Sequence, residues 1–227
     1  FGGTVAFSGA NISLTDSTPL SLAASTATGS VVLNSTGAVT QTGALTVAGT
    51  TTVTATGADI TLTNAGNSLT GAVTFTGANV ALTNTKATVL ASSAATGTLV
   101  VTSSNAITQT GALTASGNAS FTGTDITLAN TGNSFGGTIA FTGATVALFD
   151  STALALAAST ATGTLNHSVV IGGGQGQNLA NSMFGQHFFG HSLELGWVIQ
   201  CTNTNDAALA LGEPWNRVHG SNTTWVC

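Results

Sequence analysis

The chain has 227 residues, of which only 4% are charged, and a formal net charge of −5; an ordinary soluble domain carries about 25% charged residues. Its fixed side-chain cations are Lys86 and Arg217 alone, which leaves no basic patch to neutralise phosphates and excludes nucleic acid as a partner. No apolar run approaches the roughly 18 residues of a spanning helix, and the wealth of Val, Ile and Thr argues for strands rather than disorder.

Residues 1–165 are repeats almost throughout. FGGTVAFSGANISL at Phe1–Leu14 returns as LTGAVTFTGANVAL at Leu69–Leu82 and as FGGTIAFTGATVAL at Phe135–Leu148. Phe7, Phe75 and Phe141 are therefore equivalent, spaced by 68 (75 − 7) and 66 (141 − 75) residues. LAASTATGS at Leu22–Ser30 returns at Leu90–Thr98 and Leu156–Thr164, QTGAL at Gln41–Leu45 returns at Gln109–Leu113, and GADITLTNAGNS at Gly57–Ser68 returns at Gly123–Ser134. A finer spacing of 20 separates Gly57 from Gly77 and Gly123 from Gly143. The long unit reads as three coils of about 22 residues, since a fixed repeat of this size signals stacked supersecondary units.

The strand signals are short and evenly spaced: Thr4–Phe7, Ile12–Leu14, Val31–Leu33, Ile60–Leu62, Val73–Phe75, Val80–Leu82, Leu99–Val101, Ile126–Leu128, Ile139–Phe141 and Val146–Leu148. Each alternates apolar and small polar residues and is bounded by Gly, Asn, Ser or Thr. The best helical candidate, Leu154–Ala161, is short and rich in Ser and Thr; its counterpart Ser17–Ala27 contains Pro19, so this region reads as strand or turn. Short strands at a fixed period predict an all-β parallel β-helix, with Val and Leu stacked inside and Thr and Ser outside. A β-sandwich or barrel is the competing fold, but it does not need near-identical strands at a fixed spacing. Phe7, Phe75 and Phe141 are expected to point inward in one stack, three coils apart. Asn64, Asn67, Asn130 and Asn133 suit turns and can bond along the stack.

The pattern GADITLTNAGNSLTGAVTFTGANVAL over residues 1–165 resembles the repeat region of filamentous-haemagglutinin-like bacterial exoproteins, secreted by two-partner or autotransporter routes. The resemblance implies a right-handed β-helix at a Gram-negative cell surface, an outer-membrane secretion partner, and a role as adhesin or stalk. It carries no residue-by-residue site. The chain starts at Phe1 inside a repeat and reads as a segment of a longer protein.

From about Asn166 the repeat stops. Residues 166–227 hold all four His, all three Trp and both Cys. They read as a separate module, a capping segment, or an out-of-frame or misassembled end, with looser structure and Trp197, Trp215 and Trp225 only partly buried. Within this tail, Gly172 and Gly174 with Glu194 fit part of a dinucleotide fingerprint, but Gln177 stands at the third glycine position, and a flexible joint is the simpler reading. His187, His191 and Glu194 have the spacing of one helical face, yet lack the Glu of a metalloprotease motif. Cys201 and Cys227 would pair only in an oxidising compartment.

Residues 1–165 contain no His to serve as a base for their many Ser and Thr. Asp16, Asp59, Asp125 and Asp150 are too sparse for carbohydrate cleavage and read as turn residues bonding local amides. Thr-x-Thr triplets such as Thr52–Thr54, Thr74–Thr76 and Thr108–Thr110 suggest a water-ordering face, which would need them in each coil. The reading is a non-enzymatic structural or adhesive segment with no catalytic, cofactor or metal residue. Its expected partners are a host or neighbouring cell surface, glycan or protein, and further copies of itself through uncapped solenoid ends. A carbohydrate-active β-helix and an ice- or water-binding β-helix are the alternatives.

Overall fold

The computed structural model describes residues 1–152 and 154–169. Among them there is no helix, and the chain winds as a parallel β-solenoid of about eight turns. The Leu154–Ala161 region forms the short strands Ala155–Leu156 and Thr160–Ala161. Backbone pairing continues through Leu165–Val169, which lies in register on Val146–Asp150. The tail motifs at Gly172–Gln177, His187–Glu194, Cys201 and Cys227, and the three Trp, lie outside the described residues.

Alternation decides which residues fill the interior. In Val31–Ser35, positions 31, 33 and 35 are buried while Val32 faces out. Pairing then stacks inward residues coil upon coil: Leu62, Leu82, Val101, Phe121 and Phe141 form one continuous ladder. Each such apolar side chain contributes about 1.5–3 kcal/mol when fully buried. Phe121 also meets Phe135 edge-on, ring centroids 5.9 Å apart, the arrangement that ring quadrupoles favour.

The coil is shorter than the sequence suggested. Ile60, Val80, Leu99, Ala119 and Ile139 are successive partners up one column, roughly 20 residues to a coil. Leu20, Val39, Ile60 and Val80 follow one another in the same way, so three coils carry the chain only from Leu20 to Val80. The long repeat is thus three coils and eight residues more. Glycines make one corner tight. Gly29, Gly49 and Gly71 lie over one another at one corner, where a Cβ on Gly49 would come within 2.6 Å of the Gly29 carbonyl carbon and one on Gly71 within 2.3 Å of the Gly49 oxygen.

The eight-residue offset of the repeat goes with a fork in one strand. Val73–Gly77 lies in register on Thr51–Thr54 below. Above it, Val73 pairs with Leu90, while Thr76 and Gly77 pair with Ala94 and Ala95. Three steps below (73 to 76) face four above (90 to 94), so one strand becomes two with a corner between them. The fork recurs at Thr138–Gly143, under Ala155–Leu156 and Thr160–Ala161.

Each fork turns the pattern onto another face. Val73–Gly77 belongs to the 12-stranded sheet and Thr138–Gly143 to the 10-stranded one. Phe75 and Phe141 are buried, and Phe7 is half-buried against the same core. All three point inward as expected, but they do not form one stack three coils apart. Phe75 sits on Val53 and Phe141 on Phe121.

Candidate functional site

The polar side chains that matter structurally lie inside the corners, and each recurs with the repeat. Phe75 is skipped in the register above it because the fork opens there. Its N–H donates instead to Ser93 Oγ at 3.1 Å, and that hydroxyl donates to the Ala91 carbonyl at 3.0 Å. Ser25 does the same for Phe7, and Ser159 for Phe141. The serine of each LAAS-type block is what completes the fork.

A second device is a buried amide pair. Gln41 Nε2 donates to Asn67 Oδ1 at 2.8 Å and Asn67 Nδ2 donates to Gln41 Oε1 at 2.8 Å. Asn67 Oδ1 also accepts the Leu45 N–H, and its Nδ2 reaches the Leu62 and Thr83 carbonyls. Gln109 and Asn133 repeat the reciprocal pair, with the Leu113 N–H and Leu128 carbonyl as further partners. Asn67 and Asn133 are fully buried, so these bonds stand in for water around a widened corner. Asn64 and Asn130 instead accept the N–H two residues on, from Gly66 and Gly132. Asn67 and Asn133 thus bond along the stack, while Asn64 and Asn130 form turns.

The third device is the trio Asp16, Asn84 and Asp150, equivalent positions that keep the spacing of the three phenylalanines. The Asn84 carboxamide acts as the next strand. Its Oδ1 accepts the Leu69 N–H and its Nδ2 donates to the Leu69 carbonyl, both at 2.9 Å. That closes the strand column that ends at Ser68–Leu69. Asp150 Oδ1 takes the N–H of Phe135, the copy of Leu69, at 3.2 Å. Phe1 is the first copy, and its ammonium bonds both Asp16 oxygens at 2.9 Å. That ammonium holds the Asp16 carboxyl below the usual carboxylate range; the Thr18 hydroxyl and amide act in the same direction, and burial opposes them.

Asp59 and Asp125 bond amides, but not local ones. Asp59 Oδ1 accepts the N–H of Asn79, and Asp125 Oδ1 that of Thr145, each 20 residues on in the next coil. Asn79 passes the pattern upward to Thr98. The Thr-x-Thr triplets align in only two successive coils. Thr52 and Thr54 lie under Thr74 and Thr76, flanked below by Val32 and Asn34 and above Thr76 by Ala94. A single threonine column runs further, through Thr83, Thr102, Thr122, Thr142 and Thr160. Among the described residues, no three His, Cys, Asp or Glu side chains gather into a metal-binding group.

Register, forks and corner ladders define a repeat protein of the parallel β-solenoid class. The chain belongs to the DUF5649 family, repeats of unknown function, whose model matches residues 9–76 and 77–142. No curated protein and no solved structure matches it. The two matched units meet within the forked strand Val73–Gly77, so the family's unit runs from one fork to the next.

Proposed function

We propose that the chain is a non-enzymatic structural and adhesive segment of a secreted bacterial exoprotein, displayed at a Gram-negative cell surface after export through an outer-membrane partner. The observation that carries this reading is the unbroken parallel stacking from Thr4 to Val169 beneath outward faces of Thr, Ser, Ala and Asn. About eight coils at roughly 4.8 Å give a spacer of about 38 Å, which further repeats would lengthen coil by coil. The uncharged faces suit weak contacts repeated along a host or neighbouring cell's glycan or protein, where valency supplies the strength. The resemblance to filamentous-haemagglutinin-like repeats supports the cell-surface setting.

The test is binding at two valencies. The chain presented singly should bind glycan arrays and cell surfaces weakly, and the same chain clustered on beads should gain roughly 10²-fold or more in apparent affinity. Clustered chain that binds neither cells nor glycans would remove the adhesive half of the proposal and leave the spacer.

A further inference from the structure

The repeat and the coil count strands differently. Three strands complete a coil, as from Ile60–Leu62 to Val80–Asn84 above it. Yet Ile126–Leu128 is the tenth strand after Ile60–Leu62, and Thr138–Gly143 the tenth after Val73–Gly77. Ten strands are three coils and one face over. An ending and a fork, one after the other, accommodate the surplus. Among the described residues, the column Ser8–Gly9, Ser25–Ala27, Leu45–Val47 and Ser68–Leu69 stops after four strands, and the next strand of the chain, Val73–Gly77, is the one that forks. From that fork rises the column Val73–Gly77, Ser93–Ala95, Leu113–Ala115 and Ser134–Phe135. It too stops after four strands, and the next strand, Thr138–Gly143, forks in turn. One face closes as the next one splits, so the core stays walled on three sides.

We infer that each repeat hands its outward pattern to the next face, so that like surface positions wind around the solenoid and return to one face only after three repeats. The three copies in this chain occupy three different sheets. Ser8, Thr76 and Thr142 are equivalent exposed residues, each following one of the three phenylalanines. They lie in the 4-stranded, the 12-stranded and the 10-stranded sheet respectively. Three repeats make about ten coils, or about 48 Å along the axis. A flat partner therefore meets a given position of the repeat once in about 48 Å, and this chain offers it one copy of each position rather than three. Contact strength on one side grows with every third repeat, while the whole array presents the same pattern on all sides.

Copies and face-mates can be told apart by position. Thr74 and Thr76, two residues apart, stand on one side of their strand, and Ala140 and Thr142 are their copies one repeat on. The true face-mates of Ala140 and Thr142 are Ala81 and Thr83, three coils below, reached through Ser120 and Thr122 and then Val100 and Thr102. This display deepens the adhesive reading and rests on it only in supposing that the faces make contacts. An artificial flat surface reads the display whether or not the chain adheres to cells, so the two fail separately.

The probe is a planar monolayer bearing copper–iminodiacetate groups, which imidazoles bind. In the full chain, with His167, His187, His191 and His219 changed to Gln, histidine rungs are placed by Thr74→His with Thr76→His, by Ala81→His with Thr83→His, and by Ala140→His with Thr142→His. Each rung alone should bind and dissociate at a similar rate. The rungs at 81/83 and 140/142 together should stay bound roughly 10-fold longer or more, because both face the surface. The rungs at 74/76 and 140/142, copies on different faces, should leave within about two-fold of a single rung. Should the rung at 74/76 unfold the chain by circular dichroism, Ala6→His with Ser8→His supplies another copy for the same comparison. Copies that hold as long as the face-mates, face-mates that hold no longer than one rung, or a folded chain whose single rung does not bind would each overturn the inference.

Discussion

Thr51 is fully buried and its hydroxyl has no hydrogen-bond partner among the described residues; the equivalent position one repeat on is Ala119, which has no hydroxyl to satisfy. Thr51→Val keeps the shape and removes the unmet polar group, so it should raise stability by about 1 kcal/mol in denaturant melts. Phe75→Ala should cost about 3–5 kcal/mol, because it empties a site sealed by Val53 below and the Ser93 corner above; an unchanged melting curve would show the ring is not core. At this scale the sequence was informative about side-chain direction. Alternation placed Phe7, Phe75 and Phe141 inward. It could not show that the aspartates bond along the stack, because a hydrogen bond from Asp59 to Asn79 requires knowing which coil lies above. Asn84 was passed over for the same reason: its role depends on where a strand column ends.

The strands legible in the sequence were those with two apolar inward residues, such as Ile60–Leu62 and Val80–Leu82. Thr88–Leu90, Ser93–Ala95 and Leu113–Ala115 were missed, and so was Leu45–Val47 despite its two apolar inward residues. The first three bury Thr, Ser or Ala beside at most one Leu, a signal too weak against the Thr-rich background, and Leu45–Val47 is only three residues long between Gly-rich turns. The corners that separate them were visible only as recurring blocks. QTGAL recurs, and the NAGNS of Asn64–Ser68 returns as NTGNS at Asn130–Ser134, because Gln41 and Asn67, like Gln109 and Asn133, must pair. Asn67→Ala should therefore cost about 3 kcal/mol or more, since it strands the Leu45 N–H and the Gln41 amide in a buried corner. Gly71→Ala should also destabilise, by about 1–3 kcal/mol, because its Cβ would press on the Gly49 backbone. Chemical denaturation of both variants checks the pair; a neutral Asn67→Ala would mean that water fills the corner.

At the level of the whole molecule, the fold class was legible and the pitch was not. Residue spacing gave both a short period and a long one, and assuming a whole number of coils in the longer one led to a coil that was too long. The fork makes that assumption fail, since it lets a repeat end partway round a coil. The edge strand Thr4–Val5 offers free backbone groups with little charge to guard them, so the isolated chain should self-associate at micromolar concentration; sedimentation as a clean monomer would argue against it. The coil length itself is open to direct test by placing pyrene labels on paired cysteines, with Cys201 and Cys227 first changed to Ser. Thr102 and Thr122 face out as neighbours in adjacent coils, so Thr102→Cys with Thr122→Cys should give strong excimer emission within one chain. Thr102→Cys with Thr124→Cys, the neighbours that the longer coil would create, should give little. Stronger excimer emission from the second pair would contradict the register of this solenoid.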